Sequence, residues 1–428
     1  MKTMEYPHLG ERIFTHVAQN GLTVNIVPRP GFRRKMAYFV TDFGSVHTDF
    51  ELDGEIYHAP AGIAHFLEHK MFELPKRDVS AEFAALGANV NAFTSYDMTA
   101  YYFSCDSRFM ESLRLLMEFV STPYFPKESV EREMGIIDQE IGMNEDAPET
   151  RVFENLMKLL YGNHPIRVPI LGSRESLRQM TPQWLEICHR AFYTPANMML
   201  CVVGDVDAAE VVALAEEILG TERRPAGKKL RLWQEKMAVG TEAVNDSMEV
   251  AMPMFQMSFK AEPAGSGKAA METEIVGDLA AEALFGESSQ LYLELYEKGL
   301  IDSSFGGGFE SVDGCAMLTC GGDSVDAPAI RQAILERAQE LIKTGISESD
   351  FLRMKRSAMG RRIRDLDSFD STCFRLCAYH FEGFDYFDFP AVYAGVQKEQ
   401  VLEFLSRVVT KERCALSIIE PKEETADE

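Results

Sequence analysis

His65-Phe66-Leu67-Glu68-His69 sets two imidazoles four residues apart with a carboxylate between them. On a helix, residues spaced by four lie one turn apart on one face. His65 and His69 can then grip a single metal ion. Glu68 follows His65 by three positions, shares that face, and can reach a water on the same ion. The neighbours Ala61, Ile63, Ala64, Phe66, Leu67, Met71 and Phe72 are apolar, which leaves Lys70 as the other polar residue of the segment. Polar side chains held in an apolar helix need partners, and a metal supplies one. The alternative is a surface helix with two solvated histidines, which this apolar setting disfavours. Pro60 suits the first helical turn, where a missing N–H costs nothing.

A catalytic zinc site usually takes three protein ligands and keeps one position open. The best third candidate lies in Glu131-Arg132-Glu133-Met134-Gly135-Ile136-Ile137-Asp138-Gln139-Glu140. Glu133 and Glu140 are two helical turns apart and share a face. Ile136 and Ile137 are expected as core contacts between them. On spacing alone two readings stay open. One carboxylate binds the metal while the other holds a ligating histidine from behind, or both are ordinary solvated helix acids.

H-x-x-E-H followed downstream by E-x-x-x-x-x-x-E resembles the insulinase/pitrilysin family of inverzincin metallopeptidases, which includes the mitochondrial processing peptidases. Other segments agree in chain order. Asn20-Gly21-Leu22-Thr23-Val24 resembles the family's opening strand, and Gly87-Ala88-Asn89-Val90-Asn91-Ala92-Phe93-Thr94-Ser95 the strand beside its active site. His164-Pro165 with Ile170-Leu171-Gly172 resembles its mid-domain segment. Phe192-Tyr193-Thr194-Pro195-Ala196-Asn197-Met198 with Val202-Val203-Gly204-Asp205-Val206 resembles the last strand of its first domain. The subgroup it is most similar to is the bacterial YmfH-like one. The resemblance implies one zinc ion per chain on His65, His69 and Glu140, with Glu68 as general base and Glu133 as the acid behind a ligand. It also implies substrate pairing along Asn91, Ala92, Phe93 and Thr94. The implied activity is that of a metalloendopeptidase acting on peptides or unfolded polypeptide segments.

The implied fold class is α+β, with two homologous α/β domains forming a clamshell. At 428 residues the chain exceeds one typical core, so two domains are also the natural prior. Residues 222–240 are polar and basic against an acidic background and are read as the linker. The expected domains are therefore 1–221, carrying the metal site, and 241–428, homologous but without ligands. Phe125-Pro126-Lys127-Glu128-Ser129-Val130 corresponds to Ile346-Ser347-Glu348-Ser349-Asp350-Phe351, which aligns Glu133 with Met354 and Glu140 with Arg361. Other expected elements include a half-buried strand over 36–43, a helix over 181–192 capped by Thr181, and one long helix over 270–296.

A net charge of -24 disfavours nucleic acid and anionic membranes as partners. The N-terminus lacks a signal-peptide core, and no apolar run approaches the ~18 residues of a membrane span. A cytoplasmic location is expected. The eight cysteines are expected as reduced, buried thiols, and the acidic tail 420–428 as frayed.

One departure from the family pattern concerns the oxyanion. Active relatives usually supply an Arg and, seven residues later, a Tyr from the second half. The corresponding stretch, 290–304, holds no Arg; Tyr296 and Ser303 stand near the two expected positions. A heterodimer with a similar chain lacking H-x-x-E-H would restore the pair, with a homodimer as runner-up. Two rival classes are a non-catalytic assembly subunit of the same fold and a zinc-dependent hydrolase of small molecules.

Overall fold

The apolar run Met36-Ala37-Tyr38-Phe39-Val40 forms a strand, Lys35–Thr41, in which every residue from Met36 to Thr41 is buried. This corrects the half-buried expectation. Successive side chains point to opposite faces of a sheet, and helices cover both: Phe109–Ser121 and Phe369–Phe381 each pack on this strand. The computed structural model describes residues 1–422, so residues 423–428 of the expected frayed tail lie outside the described residues. Glu420 and Pro421 belong to a strand, Cys414–Pro421.

Among the described residues the chain forms a seven-stranded and a five-stranded sheet, with two smaller ones. The larger runs Lys2–Tyr6, Glu11–Val17, Thr23–Pro28, Met198–Gly204, Lys35–Thr41, Thr99–Cys105, Ala88–Thr94. It is antiparallel except where Met198–Gly204 lies beside Thr23–Pro28. One face carries Ala37, Phe39, Leu200 and Val202 into a core shared with Phe66, Leu113, Phe119 and Phe192. The smaller sheet runs Ala243–Met248, Cys414–Pro421, Met254–Ala261, Cys315–Asp323, Gly306–Val312. The helix Gly267–Phe285 packs on the strand Gly306–Val312, and Pro148–Leu160 on Cys414–Pro421 and Met254–Ala261.

The two compact units do not follow one cut in the sequence. The first comprises Met1–Ile141, Pro169–Leu232 and Ile363–Asp388; the second comprises Gly142–Val168, Trp233–Arg362 and the chain from Phe389 onward. The long helices Lys127–Glu145 and Glu348–Asp365 correspond between the halves, and so do the helices that follow them, Pro148–Leu160 and Phe369–Phe381. Each half thus contributes the helix after its long helix to the other half's unit. Within the first unit, Tyr38 donates its hydroxyl to Asp370 on the contributed helix at 2.6 Å. Tyr38, Val40, Met199 and Cys201 are buried on that side of the sheet.

The stretch 222–240 is pinned to its surroundings. Lys228 and Lys229 pair with Glu51 and Phe50, Lys229 binds Asp42 at 2.6 Å, and Gly227 N–H donates to Ala191. Further on, Glu235 accepts the backbone N–H groups of Gly162, Asn163 and His164 and pairs with buried Lys260 at 2.8 Å.

Thr181 caps the helix Pro182–Phe192, accepting from the Trp184 N–H at 3.3 Å. The expected single helix over 270–296 is two, Gly267–Phe285 and Gln290–Glu297. Ser289 accepts the Tyr292 N–H at 3.1 Å and starts the second, because a serine side chain offers the backbone a capping bond that a continuous helix cannot use. All eight cysteines are buried and free of disulfides. Among the described residues no helix is long and apolar enough to cross a membrane.

A fragment covering 1–240 lacks the helix that covers Tyr38, Val40, Met199 and Cys201. Such a fragment is expected to aggregate, and fusing residues 363–388 to it should improve its solubility. A cooperative thermal transition from 1–240 alone, followed by circular dichroism, would contradict this.

Candidate metal centre

The motif helix is Ile63–Met71. Its start corrects the expectation for Pro60, which lies ahead of the cap rather than in the first turn. The N-cap is Gly62, in the left-handed conformation at φ 88°. Glycine is required there twice over. Positive φ disfavours any Cβ, and a Cβ at Gly62 would sit 2.4 Å from the carbonyl oxygen of Leu171. The approach is mutual, since a Cβ on Gly172 would lie 2.4 Å from the Ala61 carbonyl oxygen. Two bare backbones in contact fix where the helix begins. Ile63, Ala64, Phe66, Leu67 and Met71 then face the core, which turns His65, Glu68 and His69 to the other side.

The second element is the helix Lys127–Glu145, with Val130, Ile137 and Ile141 buried. That stripe brings Glu133 and Glu140 to the motif helix. Ile136 corrects the core expectation, because it is 54% exposed. One residue step turns a helix by roughly 100°, and the stripe of Val130, Ile137 and Ile141 leaves Ile136 on the solvent side.

Glu140 faces both histidines. Its Oε1 is 3.6 Å from His65 Nε2 and its Oε2 is 3.6 Å from His69 Nε2. The two imidazole rings are 4.6 Å apart, centroid to centroid. Ligand atoms about 2.0–2.1 Å from a tetrahedral ion lie about 3.4 Å from one another, so these spacings suit one ion. One ligand atom from each of His65, His69 and Glu140 falls within 4.8 Å of the others, and among the described residues no other group of three His, Cys, Asp or Glu does so. The donor set, two imidazoles and a carboxylate, is of the kind zinc takes in catalytic sites.

The electrostatics treat the two imidazoles differently. Burial pushes the His65 pKa down to about 3, with the nearby His69 charge adding to the effect, so His65 is neutral and its lone pair free at pH 7. Burial alone would lower His69 too. The hydrogen bond to Glu133 and the charges of Glu68, Glu133 and Glu140 outweigh it, and the His69 pKa is raised. Glu133 Oε1 lies 3.0 Å from His69 Nδ1. A carboxylate accepts, so Nδ1 carries the proton and Nε2 is left toward Glu140. His65 Nδ1 is buried without a hydrogen-bond partner among the described residues.

Glu68 receives the Thr94 hydroxyl on Oε2 at 2.6 Å. Burial raises the Glu68 pKa; Thr94 and His69 act against that rise, and the Glu140 charge adds to it. Thr94 closes the strand Ala88–Thr94, which lies at the edge of the seven-stranded sheet. The four strand residues are therefore not equivalent. Thr94 is already engaged with Glu68. Phe93 packs against Tyr102 and Phe374 at 6.2 and 5.9 Å. Asn91 is exposed and Ala92 partly so. Tyr296 and Ser303 belong to the second unit and are both exposed.

Residues absent from the sequence-based site also enter. Lys70 is fully buried beside Glu73, Ser129 and Glu133. Its signal was present, as the one polar residue of the segment that the motif does not use.

Residues 54–174 match the family described as Insulinase (Peptidase family M16), and 179–358 match the Peptidase M16 inactive domain. The Bacillus subtilis protein YmfH, described as an uncharacterized zinc protease, is 35% identical over 99% of this chain and 100% of its own. The crystal structure of an M16-like peptidase from Alicyclobacillus acidocaldarius superposes with a TM-score of 0.93 at 32% identity, covering 98% of this chain and 99% of that one. A Helicobacter pylori protease, at 18% identity and a TM-score of 0.79 over 96% of this chain and 100% of that one, shares the fold.

Because the His69 pKa is raised above its ordinary value of 6.5 by Glu133 and the neighbouring carboxylates, protons compete with the metal for its Nε2. Affinity should therefore weaken as pH falls. Calorimetry in buffers of different ionisation enthalpy should read proton release on metal binding, growing as pH falls. Glu133→Gln should shrink that release and weaken binding by about 10–100-fold. Unchanged affinity in that variant would disconnect Glu133 from the centre.

Proposed function

From the premise that the chain belongs to the insulinase family of M16 peptidases, we propose that it is a zinc-dependent endopeptidase, one zinc per chain, acting on peptides or unfolded polypeptide segments. The observation that carries this reading is the convergence of His65 Nε2, His69 Nε2 and the Glu140 carboxylate, with Glu68 alongside. Zinc held by His65, His69 and Glu140 would supply Lewis acidity, polarising an amide carbonyl and bringing the pKa of water toward ~7. Manganese, cobalt or iron could occupy the same donors.

The chain's own residues divide the remaining work. Glu68 takes the proton of the attacking water and delivers it to the departing amine. Its burial makes it a stronger base than a solvated glutamate, and Thr94 holds Oε2 so that Oε1 is the oxygen left to work. Glu133 keeps the His69 ring in the orientation that ligation needs. The strand Ala88–Thr94 offers an extended peptide an edge on which to add as a further strand, with Asn91, Ala92 and Phe93 beside it. Backbone pairing of that kind binds many sequences and selects against compact small molecules.

The stretch 290–304 lacks the Arg that would stabilise the oxyanion. We therefore place the chain in a cytoplasmic heterodimer with a homologous chain that lacks H-x-x-E-H, with a homodimer as runner-up.

Glu68→Gln should keep its metal and lower the hydrolysis of a quenched peptide by about 10²–10⁴-fold. Retained cleavage removes Glu68 from the scheme. Co-expression with the partner chain should raise the rate over the chain alone, and equal rates would exclude the two-subunit arrangement. A metal-loaded pair that cleaves no peptide would assign the chain to assembly rather than catalysis.

A further inference from the structure

Lys70 stands directly after the ligand His69 and is 0% exposed. A buried ammonium has lost its water and needs acceptors for three protons. Here Glu73 Oε2 and Ser129 Oγ accept directly, and Ser129 in turn donates to the same Glu73 oxygen. The third direction leads to Glu133, whose Oε2 is 3.8 Å from Lys70 Nζ. The other oxygen of that carboxylate, Oε1, is the one bonded to His69 Nδ1. Glu133 is thus divided between a ligand and a buried cation.

We propose that Lys70 is a positioning residue for the metal centre: by drawing Oε2 of Glu133 toward itself it holds Oε1 on His69 Nδ1 and so aims His69 Nε2 at Glu140. The inference rests on the metal-binding reading above and extends it to a residue that touches neither metal nor substrate. A carboxylate anchored only by the imidazole turns about its own C–C bond, and the ring turns with it. With the Lys70 charge 3.8 Å from its other oxygen, it turns less and so does the ring. Glu73 and Ser129 supply the rest of the ammonium's coordination, so Lys70 itself has one place to sit.

A purely structural strut and a positioning residue make opposite forecasts for metal affinity. Removing a positive charge near a dication relieves repulsion and, by Coulomb's law alone, tightens binding. Loosening His69 weakens it. The test is zinc affinity of the full chain, read by competition with a chromophoric chelator, for Lys70→Met, Glu133→Gln and the double variant. Lys70→Met should weaken binding by about tenfold or more, Glu133→Gln by about 10–100-fold, and the double variant no further than Glu133→Gln alone. Glu73→Gln, which loosens Lys70 without touching Glu133, should lower the melting temperature and weaken binding by less than Lys70→Met does, with no further loss beside Glu133→Gln.

Should Lys70→Met fail to fold, Lys70→Gln retains a donor for Glu133. It should weaken binding by about three- to tenfold in the native background and not at all beside Glu133→Gln. Native or tighter affinity in the Lys70 variants overturns the proposal, as does full additivity in the double variant. A native chain that binds no zinc would overturn the metal-centre reading as well, so the two failures are distinguishable.

Discussion

Buried charge is what the contact between the motif helix and the helix Lys127–Glu145 has to satisfy. Lys70, His69 and Glu133 meet there with Ser129 and Glu73, and Glu140 meets His65 and His69 one step further along. An unpartnered ion in such a place costs several kcal/mol. Sliding one helix past the other by a turn would strand Lys70 and separate Glu140 from both imidazoles. The register that satisfies the cation is therefore also the register that assembles the three donors. Gly62 and Gly172, backbone against backbone, set the start of the motif helix that this register presupposes.

The duplicated scaffold shows how little of this follows from architecture. The helices Lys127–Glu145 and Glu348–Asp365 occupy corresponding places in the two halves. Where the first carries Glu133 and Glu140, the second carries buried Met354 and Arg361, and Arg361 pairs with Glu282 at 2.9 Å. One helix presents acids to histidines; its counterpart packs a thioether and forms an ordinary ion pair. The fold is common to both, and the chemistry belongs to the side chains placed on it. The exchange of Pro148–Leu160 and Phe369–Phe381 between the units ties the halves together through the chain itself. The unit that bears the histidines is completed by residues far beyond position 240.

Much of the centre was legible because helical periodicity is local. Four-residue and seven-residue spacings place His65 with His69 and Glu133 with Glu140 without reference to anything else in the chain. The strand Ala88–Thr94 was legible through the resemblance carried by 87–95. The misreadings have different causes. Ile136 looked like a core residue because it is apolar, yet which side of a helix is buried depends on what lies against it. The helix expected over 270–296 stops at Phe285 and restarts at Gln290, because Gly286-Glu287-Ser288-Ser289 interrupts the apolar pattern and Ser289 caps the second helix. Pro60 was read as a helix start when the close approach of the 171–172 backbone had moved that start to Gly62 and Ile63.

By itself the sequence determined the elements that short-range geometry controls: a histidine-bearing helix, an acidic helix with two carboxylates on one face, some of the strands, and a second half repeating the first. Only the tertiary structure decided which of the two acids meets the imidazole Nε2 atoms and which meets Nδ1. It also decided that Thr94 answers to Glu68, that Lys70 is sealed from water between two carboxylates, and that each unit borrows a helix from the other half. Spacing along a chain fixes directions around a single helix axis. Distances between groups on different elements come from how cores pack and how buried charges are compensated, and those depend on residues far apart in the chain.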